Sequence, residues 1–164
     1  MNKLLTYTVS LALCGLLILT TTAQASSDCR EVRGTVVADL VAPAATCPNG
    51  TISGVAGNVF DASSNLIGTT NACLTSLTPR GDNGAFHATL RHTFIFTAGE
   101  LQGATIGTQD QAVLSPVDSP LLFRVNNNLE ITTGGSGFLR THGMVSFGSR
   151  EVTLRYNGRI CVGS

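Results

Sequence analysis

The sequence predicts an all-β protein, an eight-stranded antiparallel up-and-down barrel, with a β-sandwich as the alternative. Three observations point there. No stretch keeps an apolar period of 3.6 residues over a useful length. Val, Ile, Thr and Phe dominate the apolar stretches, and branched or aromatic side chains of this kind suit a pleated, half-buried surface. Gly, Asn, Asp, Ser and Pro divide those stretches at short intervals, as turns require.

Taken in order, the expected strands are 32–40, 51–60, 66–77, 85–97, 104–114, 121–132, 138–147 and 151–161. In the first, Val32 and Val36 share one face, while Cys29, Glu31, Arg33 and Thr35 share the other. Asp61, Ala62, Ser63, Ser64 and Asn65 form the link into the third strand, and Gly81, Asp82, Asn83 and Gly84 the link into the fourth. The fourth places Phe86, Leu90, His92, Phe94 and Phe96 on one side and His87, Thr89 and Arg91 on the other. The fifth aligns Ile106, Asp110 and Leu114, and the sixth Leu121, Phe123, Val125, Asn127, Leu129 and Ile131, with Arg124 opposite. Gly148, Ser149 and Arg150 lead into the eighth, where Val152, Leu154, Tyr156 and Ile160 alternate with Glu151, Thr153, Arg155, Asn157 and Arg159. Alternation of this kind is a strand with one face buried. Short links imply antiparallel neighbours, because a parallel crossover needs about a dozen residues or more. Long strands in meander order favour a barrel over a sandwich.

The chain has 164 residues, ten basic and ten acidic, with 43% hydrophobic and 12% charged side chains. That is too apolar for a disordered chain and too evenly charged for affinity driven by a basic field, so nucleic acid is not an expected partner. Lys3, an apolar run from Leu4 to Leu19 and the Ala23, Gln24, Ala25 end read as a secretory signal peptide over residues 1–25. A single barrel domain, residues 26–164, is then expected to be secreted or periplasmic, with no membrane segment once the signal is removed. Its removal takes the only lysine and with it Schiff-base chemistry.

Cys29, Cys47, Cys73 and Cys161 follow the signal, an even number that reads as two disulfides in an exported chain. Their spacing contains no C-x-x-C pair, so no metal site is expected. Three pairings are possible, and strand parity favours Cys29 with Cys161 and Cys47 with Cys73. Cys29 and Cys161 fall on the polar faces of the first and last strands, which a closed barrel makes neighbours.

Val113–Leu114–Ser115–Pro116, Phe123–Arg124–Val125–Asn126–Asn127, Gly134–Gly135–Ser136–Gly137 and the stretch Leu154, Arg155, Tyr156, Asn157, Gly158, Arg159, Ile160, Cys161 give the chain a resemblance. It resembles exported bacterial proteins similar to allene oxide cyclase and the plant dirigent proteins. The resemblance implies an eight-stranded barrel around a small apolar cavity and an activity, if any, that uses no cofactor. Shape transfers between such relatives better than chemistry, and no catalytic residue of either enzyme family maps onto this sequence.

Chemistry-bearing residues on the apolar faces are few. His92 and Asp110 meet across the ladder if their strands pair, as a general acid–base unit or as a structural ion pair. Asn127 and Tyr156 are polar groups on inward faces that can orient a ligand, with Phe94 beside them; the plainer roles are a satisfied core amide and a rim tyrosine. His142 shares parity with Met144 and has no clear face. Gly134–Gly135–Ser136–Gly137–Phe138 lacks the last glycine of a nucleophile elbow, and Arg80–Gly81–Asp82 lies in a turn. Three functions follow. The preferred one is a barrel binding a small, largely apolar molecule; the others are a cofactor-free cyclase or isomerase and a filled barrel acting through its exterior. A filled barrel is expected to hold no cavity of roughly 300 Å³ or more.

Overall fold

The computed structural model describes residues 27–163; the expected signal segment, with Lys3, lies outside the described residues. Eight antiparallel strands close on themselves: β1 (Ser27–Val41), β2 (Ser53–Asp61), β3 (Leu66–Arg80), β4 (Ala85–Phe96), β5 (Thr105–Pro116), β6 (Leu122–Thr133), β7 (Ser136–Ser146) and β8 (Glu151–Gly163). Each strand pairs with its neighbours in sequence, and β8 returns to β1. The sandwich alternative is therefore discarded.

Alternation drives the closure. In β8, Val152, Leu154, Tyr156 and Ile160 are buried while the residues between them, Gly158 apart, are exposed. Ile106, Leu129 and Ile160 are among the largest fully buried side chains, each worth about 1.5–3 kcal/mol on burial. β1 starts earlier than the apolar pattern alone predicts. Its register with β8 runs without interruption from Ser27 opposite Gly163 to Asp39 opposite Glu151, so no bulge at Arg30 upsets the parity.

Alternation alone does not reveal three irregularities in the ladders. The register shifts at Val59/Phe60 against β3, at Leu74/Ser76 against β4 and at Gly107/Thr108 against β6, and each bends the sheet locally. A 3-10 turn, Gly99–Leu101, also went unforeseen; it buries Leu101 where β4 passes into β5.

Close approach requires glycine at several positions, and two of them shape the seam and a turn. Gly34 in β1 faces Tyr156 in β8, and a Cβ there would overlap both the Phe60 carbonyl oxygen and the Tyr156 hydroxyl. Its absence lets the Tyr156 hydroxyl donate to the Phe60 carbonyl of β2 at 3.0 Å, a stitch across three strands. Gly134, with φ +76°, makes the sharp link from β6 to β7, where a Cβ would strike the Thr105 carbonyl.

Cys29 and Cys161 face each other in the β1–β8 register, with sulfurs 2.11 Å apart. Cys47, in the connection between β1 and β2, meets Cys73 on the outer side of β3 at 2.05 Å. Both pairs are at disulfide distance, as expected from strand parity, and are compatible with an oxidising compartment.

The two bridges close loops of different length, with sequence separations of 132 and 26. In the chain-entropy model, replacing Cys29 and Cys161 by alanine costs about 5 kcal/mol, and replacing Cys47 and Cys73 about 3.5 kcal/mol. Urea unfolding of the two double variants checks this order; equal losses contradict it.

Candidate functional site

The alternation that buries aliphatic side chains also buries polar ones. Thr70 on β3, His92 on β4, Thr108 and Asp110 on β5, Asn127 on β6 and Thr141 on β7 all occupy inward positions. They sit on five consecutive strands and form a polar belt inside the barrel.

Asp110 is its centre. Its side chain is 0% exposed, and a carboxylate so placed needs partners, because desolvating a charge costs far more than one hydrogen bond returns. It has three. His92 Nδ1 contacts Oδ2, Thr108 Oγ1 donates to Oδ1 at 2.5 Å, and Asn127 Nδ2 donates to Oδ2 at 3.4 Å. Asp110 stands directly opposite Leu90 and Leu129 in the ladders, while His92 is opposite Thr108 and Asn127 opposite Ala112, so both are diagonal neighbours, two residues to either side of Asp110 in a stagger that continues from β4 to β6. The tilt of barrel strands brings such diagonals to one level. The meeting of His92 and Asp110 expected from parity is thus found, and Asn127 joins it.

The expected site residues separate beyond that cluster. Phe94 is buried and stacks on the His92 ring at 5.4 Å and on Phe96 at 6.4 Å, so it supports the histidine. Tyr156 lies apart from the cluster, with its hydroxyl committed to Phe60. Burial pushes its phenol up to about 12, and the negative charge of Asp61 adds to the shift. With Phe96 and Leu101 it borders a separate hollow of about 240 Å³ near the Gly99–Leu101 turn. His87, Arg124 and His142 are exposed, which settles the face of His142.

Above the belt lies an apolar cavity of about 70 Å³. Val36, Leu74, Ala112, Val125 and Leu154 contribute to its wall, and His92 and Asn127 are its polar members. A cavity this small follows from the aromatic filling. Phe123 packs edge-on against Phe86 at 5.9 Å and Phe147 at 5.5 Å, while Phe94 and Phe96 fill the other half. A larger hollow of about 270 Å³ opens under the connection between β1 and β2, where Asn71, Arg91 and Thr93 face outward; its wall also takes in His92 and Thr108.

Among the described residues, three buried side-chain polar atoms have no partner: Thr70 Oγ1, Asn127 Oδ1 and Thr141 Oγ1. Sequence reasoning missed Thr70, Thr108 and Thr141. Parity with Ile106 and Asp110 was the signal for Thr108, but threonine suits either face of a sheet and draws no notice on an inward one.

Chemically, a ring whose Nδ1 meets a carboxylate offers Nε2 to whatever lies beside it, the arrangement of an acid–base unit and of a buried ion pair alike. Among the described residues no group of three or more His, Cys, Asp or Glu stands ready to hold a metal ion. No protein-family model matches the chain, and no curated protein matches it.

Removing the carboxylate strands its donors. Asp110→Ala is expected to cost about 3–5 kcal/mol in chemical denaturation, and a His92/Asp110 double-mutant cycle to show coupling above about 0.5 kcal/mol; additive losses contradict the pair.

Tyr156 gives a second outcome. A phenol that folding holds neutral stabilises the protein fully below its ordinary value near 10, and this contribution fades as the pH rises through about 12. The phenolate absorption missing from Tyr156→Phe is expected near pH 12 in the native protein and near pH 10 in urea. Coincident curves contradict the burial.

Proposed function

We propose that this is an exported barrel, secreted or periplasmic, that holds a small, largely apolar molecule in its interior. The observation that carries the reading is the apolar cavity with a polar end formed by His92 and Asn127. Signal-like residues 1–25 and two cysteine pairs at disulfide distance support export. The proposed likeness to allene oxide cyclase and dirigent proteins rests on the quoted sequence stretches and is compatible with the barrel.

Cavity size narrows the ligand. At about 70 Å³ it falls below the roughly 300 Å³ under which a filled barrel is expected, which favours the filled reading against any drug-sized ligand, and it is also below the ~150 Å³ that accepts benzene. The resident is therefore a molecule of a few heavy atoms. Anything larger must displace Leu40 or Phe147, the half-buried apolar residues of the cavity wall at the strand ends.

A cofactor-free isomerase is the second reading, favoured by the His92–Asp110 contact. In it the imidazole moves a proton while the cavity restricts the conformer of a reactive intermediate.

Xenon or short-chain alkane titration, read by NMR shifts of Val36, Val125 and Leu154 methyls, tests the binding reading. Saturable shifts are expected in the natural protein, and their loss in Ala112→Leu, which fills the cavity. No shifts at all would return the barrel to the filled class, acting through its exterior. Under the second reading, His92→Gln loses turnover of a reactive epoxide while keeping the alkane shifts.

A further inference from the structure

We infer that the interior ligand is a neutral molecule carrying a hydroxyl, whose hydrogen is donated to Asn127 Oδ1. This rests on the proposed binding role and specifies the ligand's chemistry.

Hydrogen-bond direction within the belt leads to this assignment. An ionised carboxylate only accepts, so every group that reaches Asp110 must present a hydrogen. Its Oδ1 is taken by the Thr108 hydroxyl, and its Oδ2 by His92 Nδ1 and Asn127 Nδ2. Committing Nδ2 to the carboxylate fixes the orientation of the Asn127 amide and turns Oδ1 the other way. There it is buried and has no partner among the described residues. Asn127 is 5% exposed and belongs to the cavity wall. The cavity's amide thus presents an acceptor, and a buried acceptor left unmatched costs about 1–3 kcal/mol.

A ligand that supplies a donor removes that cost, whereas an ether or ketone of the same size leaves it in place. Thr141, directly opposite Asn127 in the β6–β7 register, brings a second unpartnered oxygen to the same level; a hydroxyl can donate or accept, so it is compatible with an alcohol oxygen. Carboxylate ligands are disfavoured: the belt already holds one buried carboxylate, no lysine or arginine lines the cavity, and its remaining wall is apolar. Charge and direction together select an alcohol over an ether, a ketone or a fatty acid.

The test compares ethanol with its isomer dimethyl ether, and with acetate, by NMR titration of the full disulfide-bonded protein. The expected result is binding of ethanol about fivefold to tenfold tighter than dimethyl ether, with a shift of the Asn127 side-chain carbonyl carbon for the alcohol alone, and weakest binding of acetate. In Asn127→Leu the alcohol's advantage over the ether disappears while the ether still binds. Should that variant fail to fold, the comparison of isomers and the carbonyl shift in the natural protein decide by themselves. Equal binding of alcohol and ether overturns the hydroxyl assignment and leaves the binding role standing. Failure of both to bind, together with the absence of alkane shifts, overturns the binding role and the assignment with it.

Discussion

Closure of the sheet along the β1–β8 seam is the constraint on which everything else depends. An open eight-stranded sheet would expose two edges and one apolar face; joining the edges removes both problems together. The seam is held in three ways at different heights. Cys29 meets Cys161 near one end, Tyr156 passes over Gly34 to reach Phe60 near the middle, and near the other end Leu40 and Arg150 exchange hydrogen bonds, backbone to backbone at 2.8 Å and guanidinium to carbonyl at 2.9 Å. Each contact joins residues far apart in sequence, so the native topology is rich in non-local pairing, of the kind that folds slowly.

Once closed, the barrel imposes its own accounting on the inward residues. A polar side chain on that face is withdrawn from bulk solvent and gains by meeting another polar side chain at its level. His92, Thr108, Asp110 and Asn127 do so by converging on one carboxylate. What the convergence leaves over is directional: the carboxylate takes up donors, and a buried amide acceptor is left without a partner among the described residues, on a side chain that borders an apolar space. A structural belt and a binding site are therefore not opposed descriptions. Under the proposed binding role, the bonds that stabilise the core are also the ones that decide which face a ligand would meet.

Much of this was legible in the sequence because the period of a strand is short and unambiguous. The alternation of Val152, Leu154, Tyr156 and Ile160 with charged neighbours assigns faces without reference to any other strand. The parity of His92 with Phe94, and of Asp110 with Ile106, puts an imidazole and a carboxylate into one interior. Features set by a single extra residue were not legible. The bulges near Phe60, Leu74 and Gly107 leave composition unchanged, and the Gly99–Leu101 turn is too short to show a period. Cavity size was also hidden, since it depends on how Phe86, Phe123 and Phe147 stack and not on how many there are. The role of Asn127 required knowing which of its atoms the carboxylate had claimed.

Closure itself is tested most directly by cross-strand nuclear Overhauser contacts at the seam. A closed barrel gives backbone contacts joining Val36 to Leu154 and Thr35 to Arg155, alongside those joining Val36 to Val59 in the β1–β2 ladder. A spectrum containing the β1–β2 contacts but none between β1 and β8 would mean an open sheet, and would contradict the barrel and the interior that depends on it.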